Sequence, residues 1–258
     1  MNAIECVRAD TRDFLGLHFH PIDQQATLDA IETLSALDRF SYIVTPNVDH
    51  MVNLHESSDD TLQRVYEDAD LTVCDSQILQ GLAKRSGIDL PLVTGSDLTG
   101  KLLERMNAES GTIAVIGGDA QLIAGLSELY RSITWRQHMP PMGVRRNPQA
   151  RLDIAQFVEN GNARIVLFAI GAPQSEIVCR EIAERGKARG VALCIGASLE
   201  FLTGSKRRAP KMMQRLRLEW FFRLMSEPQR LWRRYLVQGP KIFAIWRRWS
   251  INRARDRA

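Results

Sequence analysis

Between residues 42 and 195 the chain alternates two hydrophobic patterns. Short runs of apolar, often β-branched residues at 42–45, 71–74, 112–116, 164–170 and 191–195 predict strands. The stretches between them repeat their apolar positions every three to four residues. They predict helices over 60–67, 76–85, 99–106, 120–130, 152–159 and 175–189. Strands separated by helices imply βαβ crossovers, hence an α/β, Rossmann-like fold with a mainly parallel sheet and flanking helices. Each strand runs out into small or polar residues: Thr45-Pro46-Asn47, Cys74-Asp75-Ser76, Gly117-Gly118-Asp119, Gly171-Ala172-Pro173 and Gly196-Ala197-Ser198. Open parallel sheets bind ligands at the carboxyl ends of their strands, so these five turns are where chemistry is expected.

Two regions depart from this pattern. Residues 136–148, rich in Pro and Arg, read as a loop between two halves. Beyond Pro210 only helical spacing remains, with Met213, Leu216, Trp220, Leu224, Leu231 and Tyr235 in series and a break at Gly239-Pro240. Charge sharpens the division. Residues 205–258 hold 16 Lys and Arg against 3 Asp and Glu, a net +13, which leaves −9 on the other 204 residues. Four of the five tryptophans fall in this tail. The expected organisation is an α/β core over 1–204 and a basic helical appendage over 205–258, and such an appendage normally has an anionic partner.

Composition excludes several classes. The 45% hydrophobic content rules out a disordered chain, and no apolar run is long enough to span a membrane. The N-terminal stretch has Arg and Asp where a secretory signal needs an apolar core. Cys6, Cys74, Cys179 and Cys194 form no CxxC pair and read as reduced thiols of a cytoplasmic protein. The five histidines are scattered, without metal-ligand spacing.

Three features carry candidate chemistry. Gly117-Gly118 ends a strand before a helix, a geometry that suits either a phosphate or sugar contact or a plain tight turn. Asp75 follows the strand Leu-Thr-Val-Cys. It reads either as a helix N-cap or as a general base at the crevice edge. Asp68-Ala69-Asp70 has the form of a metal-binding DxD but precedes a strand where such a pair should follow one. His50, after the first strand end, reads either as a residue lining the cleft or, in preference, as a polar surface contact.

Several segments together resemble one family. Thr45-Pro46-Asn47 is similar to its T-x-N signature. Ala69-Asp70-Leu71 with Asp75 resembles its "AD-leu … DG" segment, and residues 93–98 (VTGSDL) its "vtGsDl". Ile116-Gly117-Gly118 resembles "llGG", and residues 171–176 (GAPQSE) resemble G-x-P-x-Q-E. Residues 196–210 end in Arg208-Ala209-Pro210, and the tail carries Leu218-Glu219-Trp220, Arg223, Glu227-Pro228 and Arg230, similar to "gLEWlyRLxxEPxR". This is the motif order of the WecG/TagA/CpsF glycosyltransferases, followed from about residue 40 to 235. Three positions depart from it: Ser76 replaces the Gly of DG, Ser175 the Gln of P-x-Q-E with Gln174 one place earlier, and Glu200 the Asp of FD.

The resemblance implies an inverting, metal-independent hexosyltransferase without a cofactor. Its donor is a UDP-sugar (hexose, N-acetylhexosamine or uronate) and its acceptor a polyprenyl-diphosphate-linked saccharide of bacterial exopolysaccharide or cell-envelope synthesis. It implies Asp75 as catalytic base, with Thr45, Asn47, Gly95, Gly117, Gly118, Pro173, Gln174 and Glu176 lining the substrate pocket. Arg208 is the expected cation for the departing diphosphate, with Arg207 and tail arginines in reserve. The appendage is expected to lie on the anionic inner face of the cytoplasmic membrane, leaving a folded body if the chain is cut near Ser205. Rival readings are a nucleic-acid-binding protein that tracks phosphates with its Trp/Arg tail, and a nonenzymatic nucleotide-binding or scaffold module of polysaccharide export.

Overall fold

A computed structural model describes residues 10–207, 209–210, 212–213 and 218–255. Its centre is a six-stranded, wholly parallel sheet built from β3 (Phe40–Val44), β4 (Leu71–Thr72), β5 (Thr112–Ile116), β6 (Thr134–His138), β7 (Ile165–Phe168) and β8 (Gly190–Cys194). The strand order is β4-β3-β8-β7-β5-β6. All carboxyl ends therefore open on one edge.

Side chains alternate between the two faces even in fully buried strands. Phe40, Tyr42 and Val44 of β3 join one core, and Ile43 joins the other. The first core is closed by helices α2 (Val48–Glu56), α3 (Asp60–Glu67), α4 (Gln77–Arg85), α7 (Pro148–Glu159) and α8 (Gln174–Arg185). The second is closed by α1 (Gln24–Ser35), α5 (Gly95–Glu109), α6 (Ala120–Leu129) and the short α9 (Ser198–Leu202). Apolar residues on one stripe of each helix thus meet a sheet face, as the periodicity requires.

Three expectations change. The segment read as a loop from residue 136 begins as the edge strand β6, paired with β5 from Thr112↔Thr134 to Ile116↔His138. As an edge strand it is only half-buried, so its sequence, Thr-Trp-Arg-Gln-His, lacks an apolar run. The first forty residues, given no element from sequence, supply a hairpin of β1 (Arg12–Phe14) and β2 (Leu17–Phe19) as well as α1.

The tail is not uniform. Helices α10 (Glu219–Ser226) and α11 (Pro228–Trp232) and a π-helical turn (Arg233–Gln238) bury one residue, Leu231, among those described. The last helix, α12 (Lys241–Arg255), instead packs into the first core through buried Ile242 and Ile245. Its Trp249 stands edge-on to Phe14 at 5.3 Å, and Trp246 Nε1 donates to Ser86 Oγ at 2.9 Å. Against the expectation that a chain cut near Ser205 stays folded, this packing makes α12 part of the body.

Candidate active site

The crevice is assembled where β4, β3 and β8 end. The loop after β4 is tied to the loop after β3 by Asp75 N–H donating to the Pro46 carbonyl at 3.1 Å. Ser76, not Asp75, caps α4, its Oγ accepting from Leu79 N–H at 3.2 Å. The N-cap reading of Asp75 is thereby removed. Its carboxylate instead accepts a backbone N–H from Gly95, at the start of α5. Burial pushes the Asp75 carboxyl up to about 7; Glu219 and Asp97 push the same way, while the Gly95 N–H and Arg223 oppose them.

Gly95 matters by what it lacks. A Cβ there would lie 3.4 Å from Ser198 Oγ, 3.5 Å from Asp75 Oδ2 and 3.7 Å from Thr45 Oγ1. The missing side chain leaves a gap bordered by a carboxylate and two hydroxyls. Thr45 Oγ1 donates to the Cys194 carbonyl at 3.4 Å, Ser198 Oγ to the Ile195 carbonyl at 2.6 Å, and Thr99 Oγ1 to the Gly95 carbonyl at 2.6 Å. The two hydroxyls at the gap, those of Thr45 and Ser198, are each held by a backbone carbonyl and keep oxygen lone pairs facing it.

Asn47 is the N-cap of α2. Its Oδ1 accepts from Asp49 N–H at 3.0 Å and His50 N–H at 3.4 Å, and His50 Nδ1 accepts from Asn47 N–H at 3.2 Å. His50, expected as a surface contact, is thus half of a capping box. Its ring is pushed down to about 3, first by burial and then by Arg234, so it is neutral at physiological pH. Arg234 also pairs with Asp49 at 3.4 Å, which brings the tail to this end of the sheet.

The remaining expected site residues follow β7 and β5, farther along the same edge of the sheet. Pro173 opens α8 and Gln174 begins it; the Gln174 Nε2 bonds the Ile170 carbonyl, and its Oε1 accepts from Arg145 N–H at 3.4 Å. The amide braces two loops. Glu176 is 2% exposed and its Oε2 has no hydrogen-bond partner. Burial pushes that carboxyl up to about 7. Gly117 and Gly118 sit between β5 and α6 at φ 101° and 69°. A Cβ on Gly117 would come within 2.8 Å of Ile170 Cγ2 and 3.1 Å of a backbone carbon, so the turn itself demands glycine. Arg208 lies outside the described residues; Arg207 is exposed, and Lys206 Nζ pairs with Glu200 at 2.5 Å.

Asp68 and Asp70 lie before β4, at the opposite edge of the sheet from Asp75. Asp70 is buried, bonded to Arg39 at 2.6 Å and to Tyr42 N–H at 3.1 Å, and Asp68 pairs with Arg180 at 2.7 Å. Their carboxylates serve the fold.

Sequence reasoning missed Ser198, which no motif letter marks as chemical. It also left Glu219 and Arg223 unassigned, though both stand in the quoted LEWFFRL segment four residues apart, hence on one helical face. A carboxylate poised near neutrality at a parallel sheet's carboxyl edge, beside a side-chain-free gap with hydroxyl walls, suits proton abstraction from a substrate hydroxyl. The comparison with known families matches the chain to the glycosyl transferase WecG/TagA/CpsF family over residues 12–256. Nearly its whole length is matched, and the chain belongs to the WecG/TagA/CpsF family of glycosyltransferases.

Proposed function

We propose that this glycosyltransferase moves a sugar, with inversion and without a metal ion, from a UDP-sugar to a polyprenyl-diphosphate-linked saccharide in bacterial exopolysaccharide or cell-envelope synthesis. The donor is a UDP-hexose, a UDP-N-acetylhexosamine or its uronate. The supporting observation is Asp75, with its carboxylate at the Gly95 gap and its proton affinity raised to about 7. Inverting transfer needs one base. Asp75 takes the acceptor hydroxyl proton as that oxygen bonds the anomeric carbon, and the bond to the UDP oxygen breaks on the opposite side. Thr45, Asn47, Gly95 and Ser198 form the walls around the reacting sugar. Pro173, Gln174, Glu176, Gly117 and Gly118, reached in turn along the same edge, serve the rest of the donor. Arg208, with Arg223 near Asp75, offsets the charge that develops on the departing diphosphate.

The surface helices of the 205–258 region, ahead of α12, bring this site to the inner face of the cytoplasmic membrane. No described helix is long and apolar enough to cross a bilayer. Instead Leu218, Phe221, Met225, Trp232, Leu236 and Val237 are exposed among arginines, the composition of a surface-lying element. Arginines near an anionic leaflet contribute about 1 kcal/mol each.

The test is mass spectrometry of lipid-linked product from a panel of UDP-sugars and polyprenyl-diphosphate acceptors, with and without EDTA. Product formation that survives EDTA is expected; loss restored by Mg²⁺ or Mn²⁺ would refute metal independence. Flotation of the full-length protein with anionic liposomes should occur at low salt and weaken at high salt. A Phe221→Glu/Met225→Glu variant should float less while melting at the same temperature.

A further inference from the structure

We propose that Gln137 of β6 is a positioning residue for donor binding: its side-chain amide sets the Gly117-Gly118 turn so that the turn's free N–H groups face the diphosphate of the UDP-sugar. This rests on the reading that the turn serves the donor.

The contacts are direct. Gln137 Nε2 donates to the Gly117 carbonyl at 3.0 Å and to the Asp119 carbonyl at 3.1 Å, so one amide spans the turn between β5 and α6. A Cβ on Gly118 would lie 3.6 Å from the same nitrogen and 2.4 Å from Leu122 Cδ2, which sets the amide against the turn itself. In a trans peptide the N–H points away from the carbonyl it is joined to. Drawing the Gly117 and Asp119 carbonyls towards Gln137 therefore turns the N–H groups of Gly118 and Ala120 the other way. Both residues are exposed, and neither N–H has a hydrogen-bond acceptor among the described residues.

The turn is closed at both ends without this amide. The Gly117 N–H donates to the His138 carbonyl at 2.9 Å, which carries the β5–β6 pairing past the strand, and Asp119 Oδ1 caps α6 by accepting from Leu122 N–H at 2.8 Å. Packing does not call for an amide either. Gln137 stands two residues after Trp135, which packs against the second core, so the two share a face of β6. An apolar side chain would suit that face. The amide gains its use from the two carbonyls it holds. Phosphate oxygens accept charge-assisted hydrogen bonds from peptide N–H groups, and N–H groups oriented beforehand bind them without the entropy loss of ordering a loop.

The experiment is UDP binding by titration calorimetry and initial rates of transfer, with thermal melts alongside, for the full-length protein and its Gln137→Leu and Gln137→Glu variants. Leu keeps the bulk and removes both bonds. Glu keeps the shape but sets a carboxylate against two carbonyl oxygens. UDP affinity should fall roughly 3- to 10-fold in Gln137→Leu, the size of one lost hydrogen bond, and further in Gln137→Glu. KM for the UDP-sugar should rise while KM for the lipid-linked acceptor stays in place. A role confined to folding would lower the melting temperature and leave the affinity of the folded protein unchanged. In ¹⁵N NMR spectra UDP should shift the Gly118 and Ala120 amides of the wild type, and shift them less in Gln137→Leu. Unchanged UDP affinity in both variants, with those amides still responding, would overturn the positioning role. Wild-type Gly118 and Ala120 amides that ignore UDP would refute the donor reading of the turn on which it stands, and the two failures remain distinct.

Discussion

Asp70 and Asp75 flank the same strand, β4, and their surroundings oppose each other. Asp70, before the strand, has its two oxygens bonded to Arg39 and to the Tyr42 N–H at the closed edge of the sheet. Asp75, after it, meets one peptide N–H, a neighbouring carboxylate and a gap without side chains. Strand polarity separates the two. In a parallel sheet all carboxyl ends share an edge, helix N-termini gather there, and loops can leave space, while the other edge is sealed by packing. Residue type alone does not set a carboxylate's surroundings; the end of the strand does.

The sharpest test of this contrast is Asp75→Asn. Transfer should fall about 10²- to 10⁴-fold, the usual contribution of a positioned base, with UDP affinity retained. Stability should hold or rise at pH 8, since a neutral amide avoids the desolvation that burial imposes on the charge. Near-wild-type turnover, read by product formation, would erase the distinction between the two aspartates.

Asp70→Ala should act in the opposite sense. Removing it leaves the Tyr42 N–H without that acceptor and Arg39 without its partner, at a cost of about 2–4 kcal/mol read by urea unfolding. Turnover per folded molecule should stay near wild type. Metal-dependent activity lost in this variant would instead revive the DxD reading.

Glu176 sharpens the comparison with a smaller effect. Its carboxyl rises from 4.5 to about 7 on folding, so between those pH values the native state holds a proton that the unfolded chain has released. Stability is then fully present below about pH 4.5 and declines as pH rises towards 7. Glu176→Gln should flatten that decline, gaining about 1–3 kcal/mol over wild type at pH 8 and little at pH 4.5 in parallel melts. A difference that does not vary with pH would mean the carboxyl keeps its ordinary affinity.

The tail repeats the lesson at larger scale. Arg, Trp and aliphatic residues at helical spacing describe α10 and α12 equally well, yet Phe221 and Met225 face outwards while Ile242 and Ile245 are buried. Removing residues 240–258 should destabilise the body by about 4 kcal/mol or more, through exposure of the Ile242, Ile245 and Phe14 contacts. An unchanged melting temperature would return α12 to the appendage.

Read alone, the sequence determined the strands β3, β4, β5, β7 and β8, most of the helices between them, though not α2 (Val48–Glu56), and the parallel sense of the sheet. These follow from local periodicity, because a buried strand is a short apolar run and a covering helix repeats every three to four residues. It also named Asp75, Thr45 and Gly95. Tertiary structure decided the rest. It placed β6, whose half-exposed edge needs no apolar run, and it gave the cap of α4 to Ser76. It brought Ser198, more than 120 residues along the chain, to the gap beside Asp75. It also sent one tail helix into the core and left another on the surface. Periodicity reports that a helix has an apolar face; what covers that face, and which distant charge stands beside a carboxylate, depends on how the chain closes on itself.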